Sequence, residues 1–280
     1  MAIPSAKHLT KLMGSKVLVL GGSSGIGYSV AESALQHGAR VVISSSNGSK
    51  LEDALKRLRQ AYLEQASGPA RFLLVEEGRR PEDAVRGQTC DLADAAKIET
   101  SVESLMRFAA DGGPLDHVVF TAGNAFPITH PRDTSVSAIH DTMMVRSTAP
   151  IIVAKYLEKY VAMSPYSSYT ITGGSNSLKP QPDWSILAGA SASVEGLARG
   201  LAVDLKPVRV NCVSPGAVNT EIFSRVPEER RGALLETFKN ATTTGRVALA
   251  EDLAEAYLFC MRSRDVTGSV IDSNSGRLLV

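Results

Sequence analysis

The chain predicts a doubly wound α/β domain, a mostly parallel sheet of about seven strands with helices on both faces. Three observations predict it. Short β-branched runs alternate with longer stretches of helical periodicity, the order that buries a parallel sheet between two helix layers. A glycine-rich turn stands where the first strand gives way to the first helix. A length of 280 residues with an apolar fraction of 44% suffices for one large core.

Lys16–Leu20 reads as the first strand, and the helix after the glycines runs to about His37. Arg40–Ser44 is the second strand. Ser49–Ala66 carries Leu51, Leu55 and Leu58 on one side, an amphipathic helix. Residues 67–84 gather Gly68, Pro69, Gly78 and Pro81 among many charges and read as an exposed insertion, in which Phe72–Val75 could add a short strand. Further strands follow at about Val85–Cys90 and Asp116–Thr121, with a helix over Asp94–Ala110 between them. Ser135–Tyr160 reads as one long helix, Ser168–Thr172 as the fifth strand, Trp184–Leu205 as the next helix and Val208–Val213 as the sixth strand. A variable helical segment, 219–245, a helix at 250–261 and a last strand near Ser269–Ile271 close the chain. No repeat, low-complexity tract or linker interrupts it, so 1–280 reads as one domain.

Composition excludes several function classes. Lysine plus arginine number 30 against 29 acidic residues, which leaves no electrostatic case for nucleic acid or an anionic membrane. Cys90, Cys212 and Cys260 fall in predicted strands or helices without CxxC or Cys/His spacing, so they read as reduced core thiols and no metal site is expected. Met1 to Leu12 has no apolar run of signal-peptide length, and no stretch approaches the roughly 18 apolar residues of a membrane span. A soluble, cytoplasmic protein is expected.

The chemistry begins at Leu20-Gly21-Gly22-Ser23-Ser24-Gly25-Ile26-Gly27. Gly21 permits the tight turn, Gly25 lets the backbone approach a pyrophosphate, and Gly27 lets the helix pack closely on the sheet. The helix N-terminus then offers free N–H groups and a partial positive charge to phosphate. A glycine trio alone is weak, but its strand–turn–helix setting points to a dinucleotide.

The GxxxGxG spacing resembles the short-chain dehydrogenase/reductase family, a Rossmann-type fold, and further landmarks follow in that family's order. Asp91-Leu92 resembles the pair that contacts adenine, and Thr121-Ala122-Gly123 stands where the family writes Asn-Ala-Gly. Leu201-Ala202-Val203-Asp204-Leu205 with Val208-Arg209-Val210-Asn211 matches its helix-into-strand-six run. Ser214-Pro215-Gly216-Ala217-Val218-Asn219-Thr220 matches the loop that meets the nicotinamide, which brings Pro215, Gly216, Val218 and Thr220 into the cofactor set. Members that prefer NAD carry an Asp or Glu after the second strand, which repels a 2′-phosphate. Here Ser44-Ser45-Ser46-Asn47, with Lys50 nearby, offers hydroxyls, an amide and a cation. NADP(H) is the expected cofactor, held by these residues together with Gly21, Ser23, Ser24, Gly25, Ile26 and Gly27.

The same resemblance implies missing chemistry. Family members use a Tyr to pass a proton, a Lys four residues on, a Ser that steadies the substrate oxygen and an Asn in the preceding helix. The register set by Val194-Glu195-Gly196-Leu197 puts Leu187 at the Tyr position and Ser191 at the Lys position. The Ser position falls on Gly174, with Ser175 beside it, and Arg146 replaces the Asn. A leucine neither gives nor takes a proton.

Arg146, Asp183 and Trp184 are the candidate catalytic residues in their place. Arg146 would contact cofactor, substrate or Asp183, because a guanidinium is seldom buried without a partner. Trp184 either packs in the core or offers a stacking face. Asp183, in Gln181-Pro182-Asp183-Trp184, is an N-cap or a carboxylate for a cationic substrate. His130 is a solvated loop histidine or an alternative proton donor.

The function these residues suggest is NADP(H)-dependent reduction of an activated electrophile such as an iminium. The Arg and Trp-Ser pattern resembles reductases of fungal secondary metabolism, some of them acting on indole alkaloids and coupling reduction to cyclisation. A non-redox cyclase or isomerase, and a non-catalytic NADP(H) sensor or scaffold, are the alternatives. The partner would be a small, apolar or aromatic substrate. Family members pair as dimers or tetramers through the helices at 135–160 and 184–205, which makes Ile151, Ile152, Leu197 and Leu201 the candidate contacts, with core packing as the other reading of these residues.

Overall fold

The computed structural model describes residues 8, 10–67, 79–124, 128–221 and 228–280. Seven parallel strands form one sheet in the order β3-β2-β1-β4-β5-β6-β9. They are β1 (Lys16–Leu20), β2 (Arg40–Ser45), β3 (Val85–Thr89), β4 (His117–Phe120), β5 (Ser168–Thr172), β6 (Arg209–Pro215) and β9 (Val270–Ser273). A separate two-residue ladder pairs β7 (Val218–Asn219) with β8 (Ala248–Leu249). Because side chains alternate across a strand, β1 feeds both sides of the sheet. Leu18 and Leu20 pack into one core cluster, Val17 and Val19 into the other, and all four are fully buried. Burial on both faces is why these strands read as unbroken apolar runs rather than alternating ones.

One helix layer holds α1 (Gly25–Gln36), α2 (Gly48–Ser67) and α10 (Ala250–Arg262); the other holds α4 (Ile98–Ala109), the 136–160 region and α8 (Ser185–Asp204). The strand order reverses between β1 and β4. In such sheets the crevice beyond the carboxyl ends of the strands at that switch is where ligands sit.

Four sequence expectations need correction. The long helix at 135–160 is broken into α5 (Val136–Met143), a π turn at Met144–Thr148, α6 (Ala149–Lys155) and α7 (Leu157–Tyr160). Pro150 has no N–H to offer the Arg146 carbonyl four residues back, and the Ala149 N–H instead reaches five residues back to Met144. The insertion is not wholly exposed, since α3 (Pro81–Ala84) buries Ala84 against the sheet; the possible strand at Phe72–Val75 lies outside the described residues. The helix expected from Asp94 starts at Ile98, after a turn in which Asp94 Oδ1 accepts the Ala96 N–H. Finally, α8 is long and apolar enough to satisfy the length and composition of a membrane span. Its inward face buries Leu187, Ala190, Ser191, Val194 and Ala198.

In the variable segment, α9 (Glu228–Asn240) is helical and buries no residue, while 222–227 lie outside the described residues.

Candidate functional site

A cavity of about 760 Å³ opens at the switch point, in the range of small-molecule and cofactor sites. Every cofactor-side residue named from the sequence lines it, as do Arg146 and Trp184. The glycine turn is built for close approach. Gly21 has a positive φ of 83°, and a Cβ there would stand 2.7 Å from the backbone of Ala122. A Cβ on Gly27 would collide with the Gly21 carbonyl and the Thr121 hydroxyl, so the helix can lie on the turn only without one.

The start of α1 is an anion seat. Ser24 caps it without a side-chain hydrogen bond, and no acidic residue stands in its first turn. The Gly25 N–H instead donates to Glu221 Oε2 at 2.9 Å, a carboxylate brought in from beyond β6. A negative group already occupies the place that phosphate takes at such helix starts.

At the end of β2, Ser45 Oγ accepts from Ser23 Oγ at 3.0 Å and from the Asn47 N–H at 3.2 Å, which leaves its own proton to donate. Asn47 is partly spent as a helix cap, because its Oδ1 accepts the Lys50 N–H at 2.9 Å. The acidic residues lining the cavity are Asp91 and Glu221, and neither follows β2. Asp91 Oδ1 accepts the Ala93 N–H, and Leu92 is buried beneath. These donors fit a 2′-phosphorylated dinucleotide.

Arg146 sits on the π turn. Its Nε donates to Asn124 Oδ1 at 3.1 Å and its Nη2 to the Asn124 carbonyl at 2.6 Å. The guanidinium lies against Gly123, where a Cβ would stand 3.1 Å from Nη2. Burial pushes its pKa down to about 10, which leaves it a cation near neutral pH. Asn124, absent from the sequence-based expectations, is the partner seen here. Nearby, Leu187 and Ser191 are buried one turn apart on α8 and both line the cavity. Ser191 Oγ donates to Asn176 Oδ1 at 3.2 Å, and a Cβ on Gly174 would collide with that same oxygen.

Two candidates fall elsewhere. Trp184, not Asp183, is the residue preceding α8 at the cap position. Asp183 is exposed at a positive φ of 66°, its carbonyl accepts the Thr129 N–H, and it does not line the cavity. His130 is exposed, outside the lining, and its Nδ1 accepts from the N–H and the Nε of Arg132. Sequence reasoning missed Asn176, Glu221, Phe238 and Arg277, which all line the cavity. They arrive from separate parts of the chain, Phe238 from α9 and the others from loops and short turns, and no short motif announces them.

A model of the SDR-like Rossmann domain matches residues 8–280. The short-chain dehydrogenase/reductase malC of Malbranchea aurantiaca is 38% identical over 276 residues, 99% of each chain. The solved structure of MalC, described as a reductase/Diels-Alderase, superposes with a TM-score of 0.88 over 98% of this chain and 100% of that one. The short-chain dehydrogenase/reductase fsr5 of Gibberella fujikuroi is 38% identical over 275 residues, 98% of each chain. A short-chain dehydrogenase from Burkholderia cenocepacia in complex with NADP shares the fold at 23% identity, with a TM-score of 0.78 over 95% of this chain and 99% of that one.

Proposed function

Because this chain belongs to the short-chain dehydrogenase/reductase family, we propose that it is an NADP(H)-dependent reductase of an activated electrophile in secondary metabolism. Family and relatives make it an oxidoreductase-type enzyme. One observation carries it. The cavity runs from the phosphate-seating turn to a wall of Leu187 and Trp184, and no tyrosine lines it among the described residues.

The cofactor would supply a hydride from its reduced nicotinamide. The chain's own residues do the rest. The first-turn amides of α1 seat the pyrophosphate, and Ser45, Ser46 and Lys50 hold the 2′-phosphate. Leu187 and Trp184 exclude water from the reacting face. Arg146, tied to Asn124, holds a fixed positive charge beside it.

Proton balance then selects the acceptor. Hydride added to a ketone leaves an alkoxide that needs a proton, and the leucine at the family's tyrosine position has none to give. Hydride added to an iminium carbon leaves a neutral amine and needs no proton. An acceptor already activated in this way fits the residues present. The test is nicotinamide absorbance on mixing protein and NADPH with an iminium salt or with a simple ketone. Oxidation by the first alone supports the reading, and turnover of the ketone overturns it.

MalC is described as both reductase and Diels-Alderase, and an apolar wall beside a fixed charge suits cyclisation as well. Substrate consumed without loss of NADPH would favour that second role. We further propose that copies pair through the 136–160 region and α8. Ile151 is 44% exposed, and Gly189, Gly196 and Gly200 on α8 face open space. Ile152, Leu197 and Leu201 are instead half-buried against the core. A monomeric mass by light scattering would refute the pairing.

A further inference from the structure

Two deeply buried arginines differ in how they spend their donors. Arg209 is 3% exposed and gives its guanidinium N–H groups to the carbonyls of Pro165, Cys260, Val266 and Met261, closing the end of α10. Arg277 is 5% exposed, yet among the described residues its guanidinium makes one hydrogen bond, from Nη2 to the Lys179 carbonyl at 3.1 Å. Among the described residues no carboxylate lies within ion-pair distance of it, and it lines the cavity. A buried cation left this way is costly unless a ligand completes it. Lys179 Nζ returns a hydrogen bond to the Arg277 carbonyl, so the pair clamps the C-terminal turn to the loop after β5.

The same loop holds a second unused donor. Asn176 Nδ2 is buried without a hydrogen-bond partner, while its Oδ1 is fixed by Ser191. Asn176 stands three residues before Lys179 and also lines the cavity. A cation and a neutral amide, both with N–H to spare, thus meet the cavity where the clamp and Ser191 of α8 come together, and Leu187, Trp184 and Phe238 line the same cavity. Donors without acceptors complement an oxygen that carries negative charge.

We propose that this end of the cavity is a subsite for a substrate oxyanion, a carboxylate or the enolate of an acidic carbonyl, with Arg277 as its cation and Asn176 as its neutral donor. The proposal deepens the reductase reading and rests on it for calling the occupant a substrate. It adds that the electrophile is tethered through an acid group, so that charge holds the substrate while Leu187 and Trp184 shield the carbon that takes the hydride.

The test uses cyclohexanecarboxylate and its neutral analogue cyclohexanecarboxamide, with and without NADP+. Trp184, the chain's only tryptophan, reports binding by its fluorescence. The carboxylate is expected to bind about tenfold or more tightly than the amide. Arg277→Met should abolish that preference and leave NADP+ affinity unchanged. Asn176→Asp, which keeps the shape and adds like charge, should reject the carboxylate and keep the amide. Should Arg277→Met fail to fold by circular dichroism, Arg277→Lys and Asn176→Asp carry the comparison. Equal binding of the two probes to the parent protein overturns the proposal. So does a loss of NADP+ affinity in the Arg277 variant that matches its loss of carboxylate binding, because the guanidinium would then serve the cofactor. Failure of NADP+ to bind the parent would sink the cofactor reading alone, since the preference is also measured without it.

Discussion

Replacing Glu221 with glutamine should tighten NADPH binding. The Gly25 N–H donates to Glu221 Oε2 at 2.9 Å, at a helix start with no acidic residue of its own. A dinucleotide's phosphates need that same amide and that same partial positive charge, so the carboxylate must leave as they arrive. Glu221 is exposed, which sets the scale: a charge at an exposed helix terminus is worth about 0.3–1 kcal/mol rather than the larger figure for a buried one. Glutamine keeps the shape and removes the charge. Kd for NADPH should therefore fall roughly two- to fivefold, by fluorescence titration at low ionic strength. The gain should shrink as salt is added, because exposed charges are screened. An unchanged or weaker affinity would mean that the first turn of α1 is not where the phosphates sit.

Three further outcomes follow from the geometry. NADPH should bind at least about tenfold more tightly than NADH, a difference of about 1.4 kcal/mol, and Ser45→Asp should erase that preference by setting a carboxylate against the 2′-phosphate; equal parent affinities would contradict it. Arg146→Met, which removes both hydrogen bonds to Asn124, should lower kcat/KM by about tenfold or more. Gly123→Ala, which presses a methyl 3.1 Å from Nη2, should do so more mildly; full activity in both would return Arg146 to a structural role. His117 is 3% exposed beside Ser168, and burial, aided by the Arg209 charge, lowers its pKa to about 3. The unfolded chain binds the extra proton below its ordinary value of 6.5, so this stability is complete above that pH and drains as pH falls towards 3. Urea unfolding at neutral and mildly acidic pH should show the loss in the parent and a flatter profile in His117→Gln.

What the sequence revealed follows the range of each interaction. β1 and β5 fall on their predicted residues because a strand buried on both faces leaves a continuous apolar run. The glycine turn was legible because its chemistry is local, seven residues doing one job. The break at 144–148 was hidden although Pro150 was in plain view, since a proline in a long apolar pattern does not say whether the helix ends, kinks or takes a π turn. The residue type of Asp183 allows a cap or a substrate carboxylate, but it has a positive φ and the cap position falls on Trp184. Glu221 meets Gly25 across 196 residues, and Arg277 meets Lys179 across 98. Neither pairing has a periodicity to betray it, although Gly25, Glu221 and Arg277 all line the cavity.

The proposed hydride transfer needs no protein proton donor, and stopped-flow absorbance tests this. The protein is loaded with NADPH, mixed in a stopped-flow instrument with a cyclic iminium salt or with the ketone of matching skeleton, and followed by nicotinamide absorbance across the neutral pH range. Oxidation is expected with the iminium at a rate that hardly changes with pH, because the proposed path needs no titrating group, and none is expected with the ketone. Rapid reduction of the ketone, with a rate that rises and falls on a protein pKa, would contradict it and require a proton donor that Leu187 is not.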